Sequence, residues 1–242
     1  MTAAQAKKAL QAFADSDRAL HARRYFKTAR GEYAEGDRFI GVNVPETRKV
    51  ARQFKDLPLS EIEKLLHSNI HEHRLVALII LVSQFQQAVR IADQQKQATI
   101  FNFYLQHYKH INHWDLVDTS CRDIVGCYLL DKPGKPRQLL YDWAKSDHLW
   151  KKRIAIIATA PFIRAGRFQE TLDIATILMN DPHDLIHKAS GWMLRELGNR
   201  DQQLLLNFLD QHSASMPRTM LRYAIEKLPQ KLRQHYLHKK PA

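Results

Sequence analysis

The sequence predicts an all-helical fold, and three observations lead to that prediction. The chain has only 8 glycines in 242 residues, about half the share of an average protein. Alternation of apolar and polar residues with a period of two, which is typical of strands, is almost absent. Apolar segments with helical spacing recur instead along the chain. We therefore expect helices and no strands.

Several positions carry signals for the start of a helix. Residues 1–20 have the pattern of an amphipathic helix rather than of a signal peptide. Pro45 suits the first turn of a helix, and Ser60 with Glu63 has the spacing of a capping box. Pro182 precedes a further segment with apolar periodicity. These signals place helices over most of the length of the chain.

Five segments share a pattern in which a polar cluster and a charged residue precede an apolar helix. They are HEHRLVALIILV, WDLVDTSCRDIV, WKKRIAIIATA, LIHKASGWMLREL and PRTMLRYAIEKL. The positions taken as equivalent in them are Arg74, Asp118, Arg153, Lys188 and Arg222. Their successive spacings are 44, 35, 35 and 34 residues, in the range of two-helix repeats such as HEAT motifs. We expect a HEAT-like helical-repeat solenoid that forms one domain over residues 1–242, with an ordinary helical bundle as the alternative.

Positive charge is spread over the whole chain. There are 37 Lys and Arg residues against 25 Asp and Glu residues, which gives a formal net charge of +12. Attraction to a membrane requires a basic tail or a basic amphipathic helix, whereas stacked repeats place equivalent cations on one face. We therefore expect a concave basic surface that binds nucleic acid. No apolar run approaches the length of a membrane span, and we expect a cytoplasmic protein associated with the nucleoid.

Tryptophans recur beside charged residues at helical spacing. Trp114 lies four residues before Asp118, so both side chains project from one side of a helix. The pairing returns, at a spacing of three, as Trp150 with Arg153 and as Trp192 with Arg195, so we expect exposed indoles beside charged groups on the shared surface. A carboxylate that faces DNA repels phosphates, so its presence among cations indicates chemistry rather than affinity. The alternative is structural, with Trp114 in the core and Asp118 bridging two helices.

Cysteines and histidines do not indicate a metal site. Cys121 and Cys127 lie six residues apart in one predicted helix, which fits neither a disulfide framework nor a zinc knuckle, and we expect reduced core thiols. Two groups of closely spaced histidines occur, His67, His71 and His73, and His107, His110 and His113. Neither group forms a complete ligand set, so we interpret them as surface histidines and expect no metal and no cofactor. A nuclease is disfavoured because no acidic cluster suited to magnesium stands out.

Three motifs are the most specific features of the sequence. They are WDLVD at 114–118, LWKKRIAI at 149–156 and SGWMLRE at 190–196, with weaker support from VPETR at 44–48 and RRYFKT at 23–28. Through these motifs the chain resembles the DNA alkylation repair glycosylases of the AlkD-like family, which are built of HEAT-like repeats. The resemblance spans nearly the whole chain.

The resemblance implies a monofunctional alkylpurine DNA glycosylase, a hydrolase of base excision repair. Its substrate would be duplex DNA that contains cationic purines of the 3-methyladenine or 7-methylguanine type, and we expect it to act as a monomer. Asp118 would be the catalytic carboxylate, with Trp114 and Trp192 as aromatic walls around the lesion. The residues expected to contact DNA, from the resemblance and from the predicted basic face, are Arg153, Arg195, Tyr25, Arg48, Arg222, Lys152 and Lys188.

Two features depart from the family pattern. His113 stands before Trp114, where relatives can carry a second tryptophan. The stretch ARGEYAEGDRF at 29–39 is longer than in the best-known members, and it adjoins Tyr25, so that side of the pocket could be rebuilt. The alternative function is a non-catalytic helical-repeat protein that binds branched or damaged DNA.

Overall fold

Helices form nearly all the regular structure of the protein. The structure is a computed structural model that describes residues 1–239. Extended backbone is paired, within this range, only at an isolated bridge between Arg38 and Ile70. The prediction of an all-helical fold is confirmed.

Contacts divide the chain into two compact units, one over Met1–Ile124 and one that begins at Val125. The helices of the first unit are α1 (Ala3–Gln11), α2 (Ser16–Tyr25), α3 (Val44–Gln53), α4 (Leu59–Leu66), α5 (His71–Arg90), α6 (Gln94–Gln106) and α7 (Trp114–Cys121). A short 3-10 helix covers Tyr108–His110, and a π-helical turn covers Arg122–Gly126. The prediction of a single domain over residues 1–242 stays a prediction.

The second unit has nine further helices within the described residues. They are α8 (Cys127–Leu130), α9 (Lys135–Ala144), α10 (Leu149–Ile157), α11 (Ala160–Arg164), α12 (Gln169–Ile177), α13 (Asp184–Gly198), α14 (Gln202–His212), α15 (Arg218–Ala224) and α16 (Gln230–His238). A 3-10 turn covers Leu178–Asn180.

Helix α5 is the centre of the first unit. It packs against α3, α4, α6 and α7. Every residue from Leu75 to Leu81 is buried. A helix that is covered on all sides needs apolar residues all round, which explains why this segment has a continuous apolar run instead of one apolar stripe.

Helix α13 has a similar place in the second unit, where it packs against α10, α12, α14 and α15. Its close approach to α15 requires Gly191. A Cβ atom at this position would lie 2.4 Å from the carbonyl oxygen of Met220 and 2.6 Å from the Cβ of Tyr223. The glycine of the SGWMLRE motif is therefore explained by helix packing.

The five recurrent segments of the sequence correspond to helices α5, α7, α10, α13 and α15. Within the first unit α5 packs against α7. Within the second unit α10 packs against α13, and α13 against α15. Successive segments therefore stack inside each unit, as expected for a helical-repeat fold.

Two predicted helix boundaries are wrong. The expected capping box at Ser60 does not form, because α4 already begins at Leu59 after Pro58, whose fixed φ favours helix entry. The N-terminal pattern, predicted as one helix over residues 1–20, is split into α1 and the start of α2. Asp15 caps α2 by accepting a hydrogen bond from the backbone N–H of Arg18 at 2.8 Å. By contrast, α3 has Pro45 in its first turn, as predicted.

No helix among residues 1–239 is long and apolar enough to cross a bilayer. Neither Cys121 nor Cys127 is part of a disulfide. Cys121 is buried, as expected of a core thiol, whereas Cys127 is only half-buried.

Candidate functional site

Helix α7 carries the two residues predicted to do the chemistry. Trp114 and Asp118 are both half-buried, and they lie on the same side of the helix as their spacing predicts. The opposite side, which includes Leu116 and Val117, is buried in the first unit. Both predicted side chains therefore lie at the border between the core and solvent.

Aromatic side chains surround Trp114. The ring centroid of Tyr25 lies 6.3 Å from that of the indole, in an edge-to-face arrangement. Phe26 lies 5.6 Å and His113 5.8 Å from the same ring, between centroids. Tyr25 is exposed, so it contacts both Trp114 and solvent. The structure thus brings together two of the residues that the sequence assigned to one site.

A buried cluster of charged side chains adjoins these rings, and sequence reasoning missed it. Nε2 of His71 donates to Oδ2 of Asp115 at 2.8 Å, and Nδ1 of His113 donates to Oδ1 of Asp115 at 2.5 Å. Nδ1 of His71 lies 3.5 Å from Oδ2 of Asp37, to which Arg74 donates at 2.6 Å. We call these five residues the His71–Asp115 cluster. It ties the first turn of α7 to the first turn of α5.

Burial and ion pairing give the two imidazoles of this cluster opposite protonation states. Burial alone lowers the pKa of His71, but the charge of Asp115 and the hydrogen bonds to Asp115 and Asp37 outweigh it and raise that pKa to about 9. Burial lowers the pKa of His113, which stays neutral. The pKa of Asp115 is below its usual range, since the charge of His71 and the bonds from both imidazoles outweigh burial. At neutral pH, therefore, an ionised Asp115 faces a protonated His71.

The interpretation of these histidines as surface residues is wrong for His71, His73 and His113, all of which are buried. The reason is that the first turn of α5 is covered by other segments of the first unit. Glu72 is buried there too, and its carboxylate accepts from the backbone N–H groups of Ile40, Gly41 and Val42. A charged run directly before an apolar helix was the signal that could have indicated such a buried network.

A cavity of about 650 Å³ lies beside Tyr25 in the first unit. Its apolar walls include Phe26 and Phe39, and its polar lining includes His71 and Asp115. Phe39 belongs to the stretch 29–39, which therefore contributes to the lining of this cavity.

Helix α13 presents Trp192 and Arg195 in the second unit. Trp192 is half-buried, and its indole N–H donates to Oε1 of Glu196 at 3.1 Å. Arg195 forms an ion pair with Glu226 and lies 3.6 Å from Glu196. The indole and the guanidinium therefore share one side of the helix, as their spacing predicts.

Helix α10 buries two residues that the sequence placed at a surface. Trp150 is only 6% exposed, so the expectation of an exposed indole there is wrong; α10 packs against both α9 and α13, which cover it from two sides. Arg153 is 5% exposed and donates to the carbonyl oxygen of Leu185 at 2.6 Å. Its predicted contact with DNA stays a prediction. Lys152 forms an ion pair with Asp181 at 2.7 Å.

The other predicted DNA-binding cations lie nearer to solvent. Arg48 on α3 and Arg222 on α15 are exposed. Lys188 is half-buried and forms an ion pair with Asp184 at 2.6 Å on the same helix. A surface ion pair of this kind is weak, and the predicted contact of Lys188 with DNA stays a prediction.

Comparisons with known proteins agree with this architecture. A solved structure, described as a predicted DNA alkylation repair enzyme from Enterococcus faecalis, is similar with a TM-score of 0.70. The match covers 90% of this chain and 97% of that chain at 16% sequence identity, so it shows a shared fold. No curated protein matches significantly. Residues 6–228 match the family described as "DNA alkylation repair enzyme", and the chain therefore belongs to that family.

Proposed function

We propose that the protein is a monofunctional DNA glycosylase that releases cationic alkylated purines, of the 3-methyladenine or 7-methylguanine type, from duplex DNA. The observation that carries the proposal is the pair of Trp114 and Asp118 on the half-exposed side of α7, with Tyr25 beside the indole. Membership of a DNA alkylation repair family and a net charge of +12 support DNA as the substrate.

One carboxylate suffices for this reaction. A purine alkylated at N3 or N7 carries a positive charge, so its glycosidic bond is weakened and the base leaves as a neutral molecule without accepting a proton. In the proposal Asp118 stabilises the positive charge that develops on the sugar and orients a water molecule toward C1′. The water oxygen bonds to C1′, a proton is released, and an abasic site remains.

In the proposal Asp115, which is also on α7, does not take this role. The two carboxylate oxygens of Asp115 already accept hydrogen bonds from His71 and His113. Asp115 is also charge-balanced by the protonated His71, which weakens its effect on a sugar cation. We therefore assign Asp115, His71 and His113 as positioning residues that fix the first turn of α7, while the proposal takes Asp118 as the catalytic residue from the resemblance of the WDLVD motif.

The indoles have a role that complements the carboxylate. The face of an aromatic ring attracts a cation, so Trp114 would favour the positively charged sugar and base. In the proposal Trp192 also packs against the DNA. Contacts with phosphates come from Arg153, Arg195, Arg48, Arg222, Lys152 and Lys188. The protein would act as a monomer on the nucleoid, without a cofactor.

Base release is the direct test of this function. Purified protein is incubated in EDTA with duplex DNA that contains 3-methyladenine or 7-methylguanine, and the small molecules are separated and identified. We expect the free methylated base to appear together with an abasic site. Binding of the methylated duplex without release of either base would contradict the proposal and favour the non-catalytic alternative.

A further inference from the structure

A second group of ligand-type side chains lies in the first unit, and it includes none of the candidate catalytic residues. Glu63 is on α4, His67 caps the C-terminus of that helix, and His107 caps the C-terminus of α6. One ligand atom from each of the three lies within 4.8 Å of the others. Nε2 of His107 is 3.9 Å from Oε1 of Glu63, and the rings of His67 and His107 are 5.5 Å apart between centroids.

A third imidazole adjoins this group. His110, in the short 3-10 helix after α6, has its ring centroid 4.1 Å from that of His67. Glu63 lies in the last turn of α4, four residues before its cap His67, and His107 and His110 are three residues apart where α6 passes into the 3-10 helix. Two helix ends thus bring three imidazoles and one carboxylate together.

The distances are close to those of a bound transition metal ion. Ligands at about 2.0–2.1 Å from a tetrahedral zinc ion lie roughly 3.3–3.4 Å from one another. The observed separations therefore require movements of about 1 Å. The side chain of Glu63 is 43% exposed and His67 is exposed, so both can move without disturbing the core, while His107 is 14% exposed and more firmly held.

Burial distinguishes this group from His71, His113 and Asp115, whose ligand atoms also lie within 4.8 Å of one another. In that group both carboxylate oxygens already accept short hydrogen bonds, and all three side chains are largely shielded from solvent. An ion would have to displace these bonds. The group of Glu63, His67 and His107 is open to solvent and has only the long 3.9 Å contact to replace.

We propose that Glu63, His67 and His107, with His110 beside them, form a binding site for a divalent transition metal ion such as Zn²⁺, which would join the C-terminal ends of α4 and α6. Imidazole nitrogens with one carboxylate suit zinc, nickel or copper, whereas magnesium and calcium prefer oxygen ligands. The site is independent of the proposed excision chemistry, which uses no metal. Its expected role is structural, because an ion that binds only the folded chain stabilises it.

Metal binding can be measured directly on the full chain without an affinity tag. Zn²⁺ affinity is measured by competition with a chromophoric chelator, and Co²⁺ is added to record its visible absorption. We expect one high-affinity equivalent, a Co²⁺ spectrum of tetrahedral type, and a rise in Tm with Zn²⁺. His67→Ala and His107→Ala should each weaken binding at least about tenfold, while His235→Ala, at an exposed histidine of the second unit, should bind as the wild type does.

Two results would overturn the proposal. One is a wild-type Zn²⁺ affinity no higher than that of the His67→Ala, His107→Ala double variant. The other is that His235→Ala weakens Zn²⁺ binding as much as His67→Ala does. Circular dichroism and Tm without metal show whether each variant is folded. If His107→Ala does not fold, Glu63→Gln serves instead, because it removes the charge at a half-exposed position and is still expected to weaken Zn²⁺ binding.

Discussion

Trp114 in the first unit and Trp192 in the second are both half-buried indoles on helices, but different contacts hold them. Trp114 is surrounded by the rings of Tyr25, Phe26 and His113, two of which come from a segment nearly 90 residues away in the chain. The indole of Trp192 donates to Glu196, one turn further along its own helix. Tertiary contacts therefore hold Trp114 in place, whereas a contact within its own helix helps to hold Trp192.

The buried ionic groups of the two units differ in the same way. In the first unit Asp115 is paired with His71, whose side chain is 3% exposed. In the second unit Glu170 accepts from Arg137 and Arg167, whose side chains are 15% and 37% exposed. If Asp115 is removed, His71 stays buried, whereas if Glu170 is removed, Arg137 and Arg167 can reach water. The His71–Asp115 cluster should therefore be more sensitive to loss of its carboxylate than the group around Glu170.

The largest effect on stability is expected for Asp115→Ala. It leaves a protonated His71 buried without its main partner, which should lower the free energy of unfolding by about 3–5 kcal/mol. Glu170→Ala is the matched control in the second unit, with an expected loss of about 2 kcal/mol because both arginines reach solvent. Urea unfolding at pH 7 measures both. Equal losses in the free energy of unfolding, or a larger loss for Glu170→Ala, would contradict the expected difference between the two ionic groups.

The pH dependence of stability tests the same cluster. The pKa of His71 is raised from 6.5 to about 9 in the folded protein, so its contribution is fully present below pH 6.5 and is lost as the pH rises through 9. We expect the free energy of unfolding to fall by about 3 kcal/mol over this range. Burial lowers the pKa of His73 to about 4. Because the unfolded chain then binds a proton more readily than the folded one, the free energy of unfolding should also fall as the pH drops from 6.5 to 4.

Urea unfolding at a series of pH values checks this prediction. The wild type should be most stable near pH 6.5, and His71→Gln should lose the decline on the alkaline side. A wild-type stability that is constant or rises between pH 6.5 and 9 would show that His71 is not protonated in the fold.

Removing one contact from each indole is expected to slow base release by different amounts. Tyr25→Ala removes an edge-to-face contact from Trp114, and contacts of this kind contribute about 0.5–1.5 kcal/mol, so base release should slow by up to about tenfold. Glu196→Ala should slow release less than about threefold, because the packing of α13 still holds Trp192. Tyr25 is exposed, so Tm should hardly change. If Glu196→Ala released the base more slowly than Tyr25→Ala, the expected order of the two contacts would be wrong.

The smallest effects are expected for single surface cations. Arg222→Ala should weaken duplex binding a few-fold and reduce the salt dependence of the binding constant by about one phosphate contact. Fluorescence anisotropy at several salt concentrations measures this slope.

The same titration on Arg153→Ala decides whether the buried Arg153 contacts a phosphate. A reduced slope would confirm a phosphate contact, and an unchanged slope with a lower Tm would assign Arg153 to anchoring the start of α13.

Local spacing explains what could be predicted from the sequence. The helices, their recurrence and the common side of Trp114 and Asp118 follow from residues three or four positions apart. The bond between His71 and Asp115 joins residues 44 apart, and no local pattern contains it. The approach of His67 to His107 was missed for the same reason, since the two histidine groups were considered separately along the chain.

Burial of polar and aromatic residues was the other source of error. The sequence placed Trp150 and Arg153 on the surface because their spacing matched that of Trp192 and Arg195. In the fold α10 is covered by two neighbouring helices, so the same spacing produces a buried pair. Periodicity indicates which residues share a side of a helix, but the neighbours decide whether that side meets solvent.

The central claim is that Asp118 contributes to base excision and not to DNA binding. Its most direct test is single-turnover release of 3-methyladenine or 7-methylguanine by Asp118→Asn beside the wild type, with duplex affinity measured for both. We predict release at least about 100-fold slower, with affinity equal or slightly higher because a charge that repels phosphates is removed. Release at the wild-type rate, or a parallel loss of binding and release, would contradict the assignment of Asp118 as the catalytic residue.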